Sequence, residues 1–122
     1  MAKTFLIIAA VFGFLGVAFG AFGAHALKDK LTPQLLETFE TGVRYQMYHV
    51  FAIAVVALAS THWRIGLLNI SGWMFVVGII IFSGSLYILS LTGEKMWGAV
   101  TPFGGLALLG GWLTLAVGLY KA

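Results

Sequence analysis

Cysteine is absent from the 122 residues and charge is scarce. Without cysteine there is no disulfide, no thiolate nucleophile and no Cys-ligated metal, and the redox compartment is not encoded. Only 9% of the residues are charged, whereas 61% are hydrophobic, and mean hydropathy is +1.01. A water-soluble fold of this length has too little interior to bury so much apolar surface. Seven Lys and Arg against four Asp and Glu leave a net charge of +3, too few charges for a nucleic-acid surface, so the basic excess is assigned to lipid headgroups. Catalytic patterns are missing as well: the chain has no GxSxG elbow, no P-loop and no paired carboxylates deep in an apolar run. The sequence thus implies no enzyme, cofactor or metal site, and membrane lipids as partners.

What is present is a series of long apolar runs. Thr4 to Ala24 has the length of a bilayer-spanning helix, at 1.5 Å rise per residue. It exceeds a signal-peptide core and is followed by further apolar segments, so an uncleaved first helix is expected despite the small residues around His25. Thr32-Pro33 supplies a helix cap and a first-turn proline. From there an amphipathic segment leads into a second apolar run, with Gly42 as a candidate bend between them. The expected fold is all-α: a polytopic membrane protein with four transmembrane helices at about 4–24, 43–62, 67–91 and 102–120. The fourth helix is expected to open at Thr101-Pro102, again as cap and first-turn proline. Trp63, Trp97 and Tyr120 fall where an aromatic belt belongs.

Lys3, Arg64 and Lys121 fall on one membrane side, and Lys28, Lys30, Lys95 and Arg44 on the other. The positive-inside count is close to a tie, and the assignment taken is that both termini are cytoplasmic. The expected location is a bacterial inner or plasma membrane, crossed several times.

Glycine, with 16 residues, is abundant and ordered. Ala9, Gly13, Gly16, Gly20 and Gly23 recur at alternating steps of four and three along the first helix, and Gly104, Ala107, Gly111, Thr114 and Gly118 repeat the pattern in the fourth. Such seams permit close van der Waals contact between helices. Packing within the chain is one use and a homo-oligomer interface is another.

The most polar stretch within an apolar context is Glu40-Thr41-Gly42-Val43-Arg44-Tyr45-Gln46-Met47-Tyr48-His49. At 100° per residue Leu35, Leu36, Phe39, Val43, Met47 and Val50 share one arc, and Glu37, Glu40, Thr41, Arg44 and Tyr48 the opposite one, with Gln46 the exception. Glu37 and Glu40 are candidate ion partners for Arg44. His25, at the end of the first span, emerges on the side where the second begins, so His25 and His49 are candidates to meet. The candidate ligand-binding set is therefore His25, Glu37, Glu40, Arg44, Tyr45, Gln46, Tyr48 and His49. Met together, these groups would suit a lipid headgroup, quinone, haem or proton. The plainer alternative has Arg44 and the tyrosines reaching for headgroups and the histidines bonded to backbone carbonyls. Two histidines without a fixed spacing are a weak metal signal.

Gly20-Ala21-Phe22-Gly23-Ala24-His25-Ala26-Leu27 together with the Glu40–His49 stretch resembles the signature of the domain of unknown function 423 family. These are small bacterial membrane proteins similar to the eukaryotic transmembrane protein 256 group. The resemblance extends over essentially the whole chain. It implies four membrane helices and no assigned reaction, and it raises the expectation that His25, Glu40, Arg44, Tyr45, Gln46 and His49 form one cluster. The function expected is that of a non-catalytic component supporting membrane integrity or a membrane partner through close helix packing. The alternative is binding or transport of a small ligand between helices 1 and 2.

Overall fold

A computed structural model describes all 122 residues. The chain forms four α-helices: α1 Ala2–His25, α2 Pro33–His62, α3 Gly66–Thr92 and α4 Met96–Lys121. Each is long and apolar enough to cross a membrane. At 24 to 30 residues the helices are about 36–45 Å long. They overreach a hydrocarbon core of about 30 Å, and their ends stand among headgroups.

Thr32 caps α2 through its hydroxyl, which accepts from the Leu35 N–H (3.2 Å), and Pro33 occupies the first turn. Gly93 ends α3 in the left-handed conformation, φ 74°, and its N–H bonds to the Leu89 carbonyl. That is a backbone position a residue with a Cβ fills only at a cost.

Two local expectations need correction. The fourth helix opens at Met96, not at Thr101, so Pro102 lies inside it. As the seventh helical residue, proline forfeits only the bond to the Gly98 carbonyl, still within the first two turns, where water and headgroups reach the backbone. Thr101, far from capping, donates to the Trp97 carbonyl (3.2 Å) and lies 2.6 Å from the Ser85 hydroxyl of α3. Second, α2 runs unbroken through Gly42. A Cβ there would stand 2.8 Å from the Tyr87 ring, and the Gly42 carbonyl accepts from the Ser83 hydroxyl (2.7 Å). Gly42 lets α3 come close; it does not bend α2.

Each helix packs against the next in sequence, α1 on α2, α2 on α3 and α3 on α4, as short connections dictate. The inner pair, α2 and α3, carries the larger buried share and α1 the smallest. Phe5, Ile53, Val56, Leu68 and Phe75 are fully enclosed and form the centre of the core. Phe5 crosses from α1 to lie on Gly72 and edge-on to Trp73 of α3.

The glycine seams of the outer helices point at the inner ones. A methyl group on Gly13, Gly20 or Gly23 would meet Val50 (3.6 Å), Val43 (3.4 Å) or Phe39 (3.0 Å) of α2, and one on Gly16 would collide with Met47. On α4, Gly104 faces the backbone of Phe82, Gly111 the ring of Phe75 and Gly118 the side chains of Leu67 and Leu68. Lipid is as apolar as the helices, so such close contact supplies association that burial from water does not. Outside the seams, α1 and α4 expose bulky side chains, among them Phe14, Val17, Leu106, Leu109 and Leu113.

Candidate functional site

Around Arg44 and His49 the polar residues of α2 part into two groups. Glu37, Glu40, Arg44, Tyr45 and Tyr48 are exposed, whereas Gln46 and His49 are 4% and 5% exposed. Helix periodicity turns Gln46 and His49 toward the neighbouring helices.

Gln46 joins three helices. Its Nε2 donates to the Phe12 carbonyl of α1 (2.7 Å), and its Oε1 accepts from the Tyr87 hydroxyl of α3 (2.6 Å). The two partners fix which end of the amide is which, since a flipped amide would set oxygen against the Phe12 carbonyl. Phe12 is close to the middle of α1. The polar stretch therefore reaches mid-depth in the bundle. An amide at that depth needs partners within the protein, because lipid offers none.

His49 joins α2 to α4. Its Nδ1 is 2.6 Å from the Tyr45 carbonyl, and its Nε2 accepts from the Trp112 indole N–H (3.0 Å). A carbonyl only accepts, so Nδ1 bears the proton, and Nε2 is left as the acceptor an indole requires. Phe75 packs against both, with its ring 5.7 Å from that of His49 and 5.1 Å from that of Trp112. Both ring nitrogens are occupied. This leaves neither for a haem iron or another metal, and no cluster of three or more His, Cys, Asp or Glu is placed to hold one.

His25 lies apart. It is exposed at the end of α1, while His49 is level with Gly13, whose neighbour is Val50. Twelve residues of helix separate His25 from that level, about 18 Å. Arg44 also has a different partner from the expected carboxylates of Glu37 and Glu40. Its guanidinium donates to the Thr41 hydroxyl (3.1 Å), which in turn donates to the Glu37 carbonyl (2.9 Å). Tyr45 and Tyr48 lie against one another, and Tyr45 also against Phe82 of α3.

Four participants escaped the sequence reading: Tyr87, Trp112, Ser71 and Ser83. Ser71 donates to the Gly111 carbonyl of α4 (2.7 Å), and Ser83 to the Gly42 carbonyl of α2. The available signal was position. Tyr87 and Trp112 stand inside apolar runs, away from the belt at the helix ends, and a phenol or indole there requires an acceptor. No buried side-chain nitrogen or oxygen lacks a hydrogen-bond partner.

Beside Gln46 a cleft of about 200 Å³ opens between α1 and α3, lined by Phe12, Phe19, Ile80, Gly84 and Tyr87. Nothing lies within 4 Å of where a Gly84 Cβ would be. Gln46 retains one N–H toward this region after its bond to Phe12.

The chain is 44% identical over 120 residues to the UPF0382 membrane protein YwdK of Bacillus subtilis, covering 98% of each chain. It is 39% identical over 123 residues to a UPF0382 membrane protein of Haemophilus influenzae, covering 100% of this chain and 98% of the relative. It is 38% identical over 122 residues to the UPF0382 inner membrane protein YgdD of Escherichia coli, with 95% and 88% covered. No solved structure matches. Residues 19–105 match the family described as "Protein of unknown function (DUF423)". With four membrane-length helices and relatives matched from end to end, the chain is a multi-pass membrane protein that belongs to the DUF423 (UPF0382) family.

Proposed function

We propose that this protein is a non-catalytic membrane component that works through its packed helices, supporting membrane integrity or a membrane partner. The observation that carries this reading is the engagement of Gln46 and His49. Their bonds to other helices reach all three of them: Phe12 of α1, Tyr87 of α3 and Trp112 of α4. Groups held in this way fix the relative position of helices, and a proton or electron carrier would need one of them free.

Self-association is the finer part of the proposal. The glycine seams are used within the chain, so a second copy or a partner would meet the bulky outer faces of α1 and α4, at Phe14, Val17, Leu106 and Leu109. The test is photo-crosslinking in native membranes from a probe at Phe14 or Leu109, alongside Gly16→Leu and Gly111→Leu. Overpacking of about 1–3 kcal/mol is expected from each glycine change. The reading predicts protein adducts from the wild type and their loss, with a lower melting temperature, in both variants. Adducts with lipid alone would contradict it.

A second reading is favoured by the cleft beside Gln46. An apolar molecule that presents a carbonyl, as a quinone does with either of its two, would fit its lining and accept the remaining Gln46 N–H. A Gly84→Leu variant, which fills the cleft, would then release any co-purifying chromophore or lipid.

A further inference from the structure

The two edges of the bundle differ in charge. At the edge where α2 ends and α3 begins stand Lys3, Arg64 and Lys121, while Asp29, Glu37, Glu40 and Glu94 all belong to the opposite edge. The first edge is thus cationic without compensation.

A cavity of about 600 Å³ lies at this edge beside the α2–α3 turn, and its lining includes Ser60, Thr61, Trp63, Arg64 and Asn69. Arg64 is its one charged side chain. The Ser60 and Thr61 hydroxyl protons are already given to the Val56 and Leu58 carbonyls (2.8 and 2.6 Å). The Arg64 guanidinium, the Asn69 amide and the Trp63 indole N–H are therefore the side-chain donors that remain. A guanidinium fork matches two phosphate oxygens. The ammonium of a zwitterionic headgroup, by contrast, would find no carboxylate here.

Asn69 also begins a second depression, an apolar groove of about 440 Å³ along α3 and α4 that continues through Ile70, Trp73, Met74, Val77 and Ala107. Asn69 to Val77 is eight residues of helix, about 12 Å of descent from the edge toward mid-depth. A polar cavity at the headgroup level and an apolar trough directed into the hydrocarbon thus adjoin at Asn69, which lines both. Trp63 and Trp73 stand along the way, with rings suited to the boundary between the two media.

We propose that cavity and groove together bind one anionic phospholipid. Its phosphate sits against Arg64 and Asn69, and one acyl chain lies along the groove on Trp73, Met74 and Ala107. The cavity lies at the membrane edge, whereas the joints at Gln46 and His49 lie at mid-depth, and the site uses none of their hydrogen bonds and does not depend on the function proposed above.

The test uses the full chain in native mass spectrometry, after exchange into detergent with phosphatidylglycerol or phosphatidylcholine of matched chains. The wild type is expected to retain phosphatidylglycerol preferentially. Arg64→Gln should reduce that retention about tenfold, the effect of losing a hydrogen bond between charged groups and not merely a surface charge. Ala107→Phe, which fills the groove without altering charge, should reduce it comparably, with Val77→Trp as a second groove-filling variant should the first lose its melting transition. Lys3→Gln and Lys121→Gln remove the same charge outside the cavity and should each change retention less than twofold. Equal retention of the two lipids would overturn the proposal. So would an Arg64→Gln effect no larger than that of Lys121→Gln, or full retention in a folded groove-filling variant.

Discussion

On the outward side of α2 the side chains of Glu37, Glu40 and Arg44 end in open surroundings, whereas Gln46 and His49 of the same helix end on three other helices. Both groups are polar and a few residues apart, yet their consequences differ because their solvents differ. At the helix end, water and headgroups satisfy a carboxylate or guanidinium whatever its neighbours, so a pairing there adds little. At mid-depth a partner must come from the protein, and each partner found is a helix held in register. Polarity alone did not mark the part of α2 that joins the other helices; polarity at depth did.

The largest break in this contrast should come from the inward side by steric means. Gly42→Leu would drive a side chain into the Tyr87 ring and the Leu86 side chain and separate α2 from α3. A destabilisation of about 3 kcal/mol is expected, at the upper end of overpacking effects, read as a loss of the folded fraction in a denaturant titration in mild detergent.

Gln46→Leu keeps the volume and removes the joint, leaving the Tyr87 hydroxyl and the Phe12 carbonyl without their partner. Its expected cost is about 1–2 kcal/mol, and the same titration reads it. The smallest effect belongs to the outward side. Glu37→Gln and Glu40→Gln, though they remove charges from the same helix, should stay within about 0.5 kcal/mol of the wild type. A cost for Glu40→Gln equal to that of Gln46→Leu would erase the distinction between the faces.

The helices themselves were legible because hydropathy over 20 or more residues overrides every local signal, and Thr32-Pro33 marked the start of α2 by a cap that the structure contains. Thr101-Pro102 offered the same two residues and misled. A cap motif is read from residue types, but whether the helix has already begun depends on what precedes it, and Met96 to Val100 is apolar enough to continue α4 toward the headgroups. Gly42 misled for a related reason, since a glycine in a helix reads equally as a weak point or as a place of close approach. Only the position of Tyr87 on another helix decides between them.

The candidate site was legible as a stretch and not as a geometry. The i to i+4 spacing of Glu40 and Arg44 permits a pair, but at an exposed position the side chain has other partners, and Thr41 is nearer. Gln46 was the one residue that violated the amphipathic arc, and the violation was the signal: an amide on the apolar side of a membrane helix must be answered by another helix. Its answering groups, Tyr87 and Phe12, lie 41 and 34 residues away, a separation no local pattern encodes.

The most direct test is a double-mutant cycle on Gln46→Leu and Tyr87→Phe, measured as reversible unfolding in bicelles by steric trapping. The account predicts that the two changes do not add, with a coupling of about 0.6–1.7 kcal/mol, the range of interhelical hydrogen bonds in membranes. Strict additivity would mean that the two side chains do not hold α2 to α3, and the claim that α2's inward polar residues are the joints of the bundle would fail.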